Sequence, residues 1–151
     1  MEQKSETQPD QQTIDEVLNL FKSGKLNKAK IKIENYIKKF PKSFVLFNIL
    51  GAVCAGQDEL EVAINHHKKS VEINPDYAEA YNNMAVALKR LGKLDEAIVS
   101  LKKCVSINPN HAEALNNLGN VFREKGYLDK ASEAYKRSIA VKPDYADAYI
   151  N

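Results

Sequence analysis

The residues of this chain best placed to do chemistry are asparagines that recur at a fixed interval. Asn48, Asn82 and Asn116 are spaced 34 residues apart, and Asn83 and Asn117 keep the same interval. An asparagine amide offers both a donor and an acceptor, so it can pair with the N–H and C=O of a passing peptide whatever side chains that peptide carries. The pattern therefore predicts sequence-tolerant binding of a polypeptide backbone.

The sequence contains no other pattern typical of a reactive or metal-binding site. It has no phosphate-binding loop, nucleophile elbow or metal signature. His66 and His67 are adjacent, which does not place both rings on one helix face, and His111 has no Cys or His cluster nearby. We therefore expect no catalytic residue, no metal and no cofactor, and we interpret the histidines as packing or solvent-contact residues. Cys54 and Cys104 lie among apolar neighbours, which favours buried thiols over a disulfide or redox pair.

An internal repeat positions the asparagines. Four of the five prolines share the 34-residue spacing: Pro41, Pro75, Pro109 and Pro143. The same interval separates four leucines and four alanines: Leu26, Leu60, Leu94, Leu128, Ala29, Ala63, Ala97 and Ala131. A period in this range is typical of a stacked solenoid and not of a single closed core.

Each repeat is predicted to be a pair of helices. In the third repeat, apolar residues from Tyr81 to Leu88 recur at three- and four-residue spacing, which indicates one face of a first helix. A second apolar stripe runs from Leu94 to Val105, and Gly92 provides the turn between them. Each second helix is predicted to end just before its proline, because the residue preceding proline disfavours helical dihedrals. We interpret the repeated alanines as points where two helices cross closely.

These features resemble the tetratricopeptide repeat family over about residues 13–151. The resemblance also rests on small first-helix residues and on turn glycines: Gly51, Ala85, Gly119, Gly24, Gly92 and Gly126. It implies an all-α, right-handed superhelical α-solenoid of stacked antiparallel helix hairpins, with about four repeats in residues 13–145. Two residues depart from the pattern, since Glu16 stands at a usually apolar position and Asp58 replaces a turn glycine. We therefore expect a degenerate first repeat with a distorted hairpin.

The resemblance also implies a ligand groove, because first helices line a concave surface in this family. The asparagine ladder resembles the groove of the O-linked N-acetylglucosamine transferases, where such repeats present an extended peptide to a separate catalytic domain. The implied peptide-binding residues are Asn48, Asn82, Asn83, Asn116, Asn117, Asn120, Lys89, Arg90 and Arg123. The three cations are expected to add charge selection at the groove edge. The alternative is that asparagine at these positions is simply common in the family and keeps the surface soluble.

Charge and hydropathy limit the partners. The family's lysine–arginine clamp for terminal carboxylates is disfavoured, because Glu113 and Asn117 stand at its positions in the fourth repeat. The formal net charge is only +2, and the lysine-rich stretch from Lys22 to Lys42 lacks arginine, so we expect no nucleic-acid partner. The longest apolar run is shorter than the roughly 18–20 residues of a membrane span, so we expect no membrane partner. The polar N-terminus has no secretory signal, which predicts a cytoplasmic protein.

The predicted organisation is a flexible polar head in residues 1–12, the array in 13–145 and a truncated further repeat in 146–151. An array that stops inside a helix lacks the usual polar cap. This predicts either a fragment of a longer protein or self-association through the open C-terminal end. The predicted function is a protein–protein interaction module that binds an extended peptide or a helix. The alternatives are a substrate-presenting N-terminal arm of a larger enzyme, such as a glycosyltransferase, and a self-assembling scaffold.

Overall fold

The computed structural model describes residues 8–144, which form helices joined by short turns. The eight helices of this part are α1 (Gln11–Lys22), α2 (Leu26–Lys39), α3 (Phe44–Gly56), α4 (Leu60–Ile73), α5 (Ala78–Arg90), α6 (Leu94–Ile107), α7 (Ala112–Glu124) and α8 (Leu128–Val141). Since residues 8–144 contain no strand and neighbouring helices pack on one another from α1 to α4 and from α5 to α8, the predicted all-α fold of stacked hairpins is confirmed.

Two compact units divide these helices, the first ending at Pro75 and the second beginning at Asp76. In the first unit, α3 packs against α1, α2 and α4, and in the second, α7 packs against α5, α6 and α8. Both units bury the apolar faces that the periodicity predicts. The repeated alanines all lie in these cores: Ala29, Ala63, Ala97 and Ala131. Their burial fits the prediction that they allow helices to approach closely.

The repeated prolines and glycines mark the helix ends as predicted. The second helix of each hairpin begins at one of the four repeated leucines. It ends at a capping residue that directly precedes a proline: Phe40, Asn74, Asn108 and Lys142. Gly24, Gly92 and Gly126 have φ angles of 72°, 75° and 80°. Only glycine adopts this left-handed backbone without steric cost, so these residues permit the tight turn inside each hairpin.

The first repeat forms its hairpin despite its departures from the pattern. Glu16 accepts a hydrogen bond from the Tyr36 hydroxyl at 2.6 Å and also pairs with Lys32, so this carboxylate joins α1 to α2. These two partners lower the pKa of Glu16. In the second repeat, Asp58 lies between α3 and α4 and takes the turn position of glycine with a φ of 64°, which aspartate tolerates better than most residues.

The array starts slightly earlier than residue 13. Helix α1 begins at Gln11, because the Asp10 carboxylate accepts a hydrogen bond from the Thr13 backbone N–H at 2.8 Å and caps the helix. The predicted flexible head therefore does not extend to residue 12. Residues 1–7 and the truncated repeat predicted in 146–151 lie outside the described residues.

Candidate functional site

The repeated asparagines divide into a buried set and a half-buried set. The buried set is Asn48, Asn82 and Asn116. The half-buried set is Asn83, Asn117 and Asn120. Consecutive helical residues point about 100° apart, so Asn82 and Asn83 cannot share one environment. The predicted placement of the ladder on a ligand-facing surface is therefore wrong for the three buried side chains. The half-buried ones are not fully solvated either.

Asn82 is buried because both ends of its amide are hydrogen-bonded to α7. Its Nδ2 donates to the Glu113 carboxylate at 3.0 Å, and its Oδ1 accepts from Nδ2 of Asn117 at 3.0 Å. Each oxygen and nitrogen assignment follows from this network. The second bond also fixes the orientation of the Asn117 amide. Among the described residues no donor pairs with Oδ1 of Asn117, so this oxygen is available to a ligand.

Asn48 has a structural partner in the first unit. Its Oδ1 lies 2.9 Å from Nδ1 of His67, whose ring has no exposed area. An amide oxygen can only accept, so the proton of the ring lies on Nδ1. Burial lowers the pKa of His67 to about 4, which keeps the ring neutral near pH 7. The ring covers Gly51, where an added Cβ would meet its Cε1 at 2.6 Å.

The fourth repeat contains a similar ring over a glycine. The Tyr135 hydroxyl donates to Oδ1 of Asn120 at 2.8 Å, and the Tyr135 ring covers Gly119 closely enough to overlap any added Cβ. Asn120 thus orients Tyr135 while remaining half-buried. Asn116 is 3% exposed, and its Oδ1 has no hydrogen-bond partner within residues 8–144. The structure gives Asn116 no access to a ligand.

A small cleft between α5 and α7 contains several of the predicted binding residues. It has a volume of about 140 Å³, with walls and floor from Ala85, Val86, Lys89, Arg90, Leu101, Asn117 and Val121. Pockets that enclose whole small molecules measure about 300–1,000 Å³. This cleft therefore fits one side chain of a larger ligand. Val86 is 39% exposed there, at a position that the family resemblance places on the groove face.

The three cations predicted at the groove edge differ in how they are paired, and only Lys89 and Arg90 line the cleft. The Lys89 ammonium lies 3.8 Å from the Glu124 carboxylate. Arg90 and Arg123 are exposed on α5 and α7. None of the ion pairs within residues 8–144 involves Arg123. Its guanidinium is thus the cation best placed to meet a ligand carboxylate.

His111 links the N-terminal ends of α5 and α7. Its Nε2 lies 3.1 Å from the Glu79 carboxylate, while its Nδ1 accepts from the Ala114 backbone N–H at 3.2 Å and caps α7. The Glu79 carboxylate raises the pKa of His111, and His111 lowers the pKa of Glu79. A protonated Nδ1 cannot accept the capping bond, so loss of the cap partly offsets the gain from the charged pair.

Other candidate chemistry is limited in the described part of the chain. Residues 8–144 contain no group of three or more His, Cys, Asp and Glu side chains arranged to hold a metal ion. No helix of this part is long and apolar enough to cross a membrane. Cys54 and Cys104 are buried free thiols, as predicted. Burial raises the pKa of Cys104 to about 12, which suppresses the reactive thiolate.

Comparisons with known proteins agree on the repeat. Residues 76–144 match a family model for the tetratricopeptide repeat, and residues 51–92 match a second model for the TPR repeat. The crystal structure of MamA is 24% identical, with a TM-score of 0.79, and the match covers 89% of this chain and 78% of MamA. No curated protein matches the chain in sequence.

Two other similar structures are described by their peptide binding. The first TPR of Spaghetti (RPAP3), solved bound to the HSP90 peptide SRMEEVD, is 21% identical with a TM-score of 0.70, and the match covers 71% of this chain and 85% of that one. YrrB, a TPR protein with an unusual peptide-binding site, is 20% identical with a TM-score of 0.66, and the match covers 91% of this chain and 89% of YrrB. At these identities the likeness shows the fold alone.

Proposed function

We propose that this chain, which belongs to the tetratricopeptide repeat family, is a protein-interaction module that binds an extended peptide along one surface of its second unit. This α5–α7 surface comprises the half-buried asparagines, the nearby cations and the small cleft: Asn83, Asn117, Asn120, Lys89, Arg90, Arg123 and Val86. The observation that carries the proposal is the cleft, which brings an apolar wall, two cations and an oriented amide together within one unit.

In this proposal Asn117 recognises the peptide backbone through its oxygen. One hydrogen of the Asn117 Nδ2 already donates to Asn82, and this bond fixes the direction in which the amide oxygen points. Asn117 therefore accepts from a peptide N–H through Oδ1, and the second hydrogen of its Nδ2 can donate to a peptide C=O. A side chain held in place before binding loses less conformational entropy on binding. One neutral hydrogen bond of this kind contributes about 0.5–1.5 kcal/mol.

The cleft and its cations give the surface a modest side-chain preference. A cleft of about 140 Å³ beside the exposed Val86 suits one apolar side chain of the ligand. Nearby carboxylates already have partners, since Glu113 accepts from Asn82 and Glu124 lies near Lys89. Arg123 is then suited to a ligand carboxylate. Exposed ion pairs contribute only about 0–1 kcal/mol, so the cations select among peptides more than they determine affinity.

The similar structures support a peptide ligand in general terms. Spaghetti (RPAP3) was solved with an HSP90 peptide, and YrrB is described by a peptide-binding site. The Asn117 oxygen and the adjoining cleft provide a backbone contact and a side-chain contact of the kind that an extended peptide needs.

The experiment starts with a peptide selected from a random display library against the whole chain and then synthesised. Asn117→Ala is expected to weaken its binding about two- to tenfold, because one neutral hydrogen bond is lost. Asn65→Ala is the matched control, since Asn65 is an exposed asparagine on α4 and lies outside the surface. Affinities are measured by isothermal titration calorimetry.

N-methylated peptides separate a direct contact from an indirect structural effect. Methylating the contacted amide should weaken binding to the wild-type chain by a similar factor and have no further effect on Asn117→Ala. The proposal fails if every singly methylated peptide binds as tightly as the unmethylated one and Asn117→Ala binds as tightly as Asn65→Ala. Other groups would then recognise the ligand.

Two alternatives remain predictions from the sequence. A substrate-presenting arm of a larger enzyme requires a catalytic domain beyond Asn151, and the likeness to glycosyltransferase arms rests on the asparagine spacing alone. Self-assembly through the open end concerns residues 146–151, which lie outside the described part. No observation within residues 8–144 favours either one over peptide binding.

A further inference from the structure

We propose that the second unit has another binding site, a groove between α6 and α8. Its ligand is an acidic segment of a partner protein, and that segment places one large apolar side chain in the groove. This α6–α8 groove is formed by the second helices of the two hairpins, whereas the α5–α7 surface is formed by the first helices. The two sites are therefore separate, and either could exist without the other.

The groove is large enough to hold a ligand segment. Its volume is about 520 Å³, which falls within the range of about 300–1,000 Å³ typical of ligand clefts. Val105 of α6 and Ala134 of α8 form its walls, and Leu118 and Phe122 of α7 form its floor. The floor residues are only 6% and 7% exposed, so they present a firm apolar surface and not mobile side chains.

The rim of the groove is cationic. Lys102, Lys130 and Arg137 line it, against one carboxylate, Glu133. No ion pair within residues 8–144 involves Lys102 or Arg137, so neither charge is neutralised by the described part of the protein. An apolar floor under unpaired cations complements a segment that places an apolar side chain between carboxylates.

Lys130 occupies a defined position at one end of the groove. Its ammonium lies 5.9 Å from the centre of the Phe122 ring and 5.1 Å from that of Tyr127. Both distances are within cation–π range, so the rings hold the charge near the apolar floor. A ligand carboxylate beside Lys130 could therefore bind while the adjacent apolar side chain contacts Phe122.

A polyanion such as nucleic acid fits the groove less well. Binding of single strands depends on exposed aromatic faces that stack with bases, and Phe122 is almost completely buried. Glu133 on the rim would also repel a continuous row of phosphates. These features favour a protein segment with spaced carboxylates.

Two of the three cations on the rim are specific to the second unit. Two repeat lengths earlier in the sequence, Glu34 corresponds to Lys102 and Val62 corresponds to Lys130. His66 corresponds to Ala134 and stacks on Phe47 with ring centres 6.3 Å apart. Arg137 corresponds to Lys69, so the repeat pattern explains that cation but not Lys102 and Lys130.

The first test maps binding by NMR on the whole, isotope-labelled chain. The probe is a hexapeptide of leucine and phenylalanine flanked on each side by two glutamates, and the control replaces the glutamates with lysines. We expect the acidic probe to shift the amide signals of α6 and α8 around Val105 and Ala134, and the basic control to shift none. Shifts confined to Asn83 and Asn117 would overturn this proposal while supporting the α5–α7 surface.

The second test uses charge-reversed variants with the same total charge. Lys102→Glu combined with Arg137→Glu is expected to weaken probe binding at least about tenfold. The control combines Lys103→Glu with Lys136→Glu, since both residues are exposed neighbours that do not line the groove. The control should change affinity by less than about twofold, as expected for screened charges outside the contact. Glu133→Gln should tighten binding.

Three results would contradict the proposal. One is equal loss of affinity in the two charge-reversed proteins, which would indicate nonspecific attraction. Another is a set of groove shifts that appear on concentrating the chain without peptide, which would identify a second copy as the occupant. The third is stronger binding of a single-stranded oligonucleotide than of the acidic probe at the same residues.

Discussion

At the residue scale, adjacent asparagines of one helix have different roles because their surroundings differ. Asn82 donates to Glu113 and accepts from Asn117, so its amide connects α5 to α7 inside the second unit. Asn83 lies one residue further along the helix and is half-buried. The buried amide stabilises the hairpin pair and orients Asn117. In the proposed complex, Asn117 therefore contacts the ligand, whereas the buried Asn82 does not.

This difference predicts unequal costs of truncation. Asn82→Ala is expected to lower the free energy of unfolding by about 1–3 kcal/mol, because both hydrogen-bond partners lose a buried contact. Asn117→Ala should fall at the lower end of this range, about 1 kcal/mol, since the buried Oδ1 of Asn82 loses its donor but the Asn82–Glu113 bond survives. Urea unfolding of both variants measures the order, with Asn65→Ala as an exposed control expected within about 0.5 kcal/mol of wild type. Equal midpoints for Asn82→Ala and Asn65→Ala would contradict the network.

At the element scale, the helices of each hairpin pack through size-matched positions. Gly51 faces the ring of His67, and Gly119 faces the ring of Tyr135. The corresponding positions in the α5–α6 hairpin hold Ala85 and the aliphatic Leu101, both buried. Glycine, which has no Cβ, is thus paired with the ring of His67 or Tyr135. Alanine, which has a methyl group, is paired with the smaller side chain of Leu101. The same positions in the first hairpin hold the buried Val17 and Ile33, so the repeat uses three combinations of side chains at this helix contact.

Gly119→Ala tests this matching because two effects oppose each other. Alanine favours a helix by about 1 kcal/mol over glycine, but its Cβ would overlap the Tyr135 ring, which is held by Asn120. Overpacking typically costs about 1–3 kcal/mol, so we expect net destabilisation. Adding Tyr135→Leu should recover much of the loss, since it recreates the Ala85–Leu101 combination. A double-mutant cycle in urea that shows additive effects would argue against direct matching.

The turn inside each hairpin predicts a backbone effect without a packing effect. Gly92 has a φ of 75°, and an added Cβ there would meet no atom within 4 Å. Gly92→Ala is therefore expected to lower stability by about 1–2 kcal/mol through backbone strain alone. Gly92→Asp should cost less, because Asp58 occupies the same turn position with a φ of 64°. Thermal unfolding of the two variants would show the alanine variant melting first.

At the scale of the whole chain, the fold was more predictable than the site. Prolines, glycines and leucines marked the helix ends because each acts on the backbone within a few residues of itself. The site depends on contacts between helices, such as the bond from Asn117 to Asn82, which are 35 residues apart. Asn82 and Asn83 both recur with the repeat period, so the period alone does not distinguish them. The structure does, because Asn82 is buried and Asn83 is half-buried. The sequence likewise predicted His67 only as a packing or solvent-contact residue, and neither its complete burial nor its bond to Asn48 could be read from the repeat.

The two units are expected to respond to acid in opposite directions. In the first unit, burial lowers the pKa of His67 to about 4, whereas an unfolded histidine titrates near 6.5. The unfolded state then binds more protons between these values, so stability falls as the pH drops through this window, by up to roughly 3 kcal/mol. In the second unit, Glu79 raises the pKa of His111. Its stabilising contribution is present below the unfolded pKa and is lost as the pH rises through the folded pKa.

Hydrogen exchange followed by NMR at pH 7.5 and pH 5, corrected for intrinsic exchange rates, resolves the units separately. Acidification should reduce protection in α3 and α4 and increase it in α5 and α7, except at the Ala114 amide, which loses its acceptor on His111. His67→Phe keeps a ring over Gly51 but cannot titrate, so it should remove most of the loss in the first unit. His111→Asn keeps a capping acceptor for α7 while removing the titrating ring, so it should abolish the gain in the second unit. Protection that falls equally in both units, and does so in both variants, would mean that other groups control the response to acid.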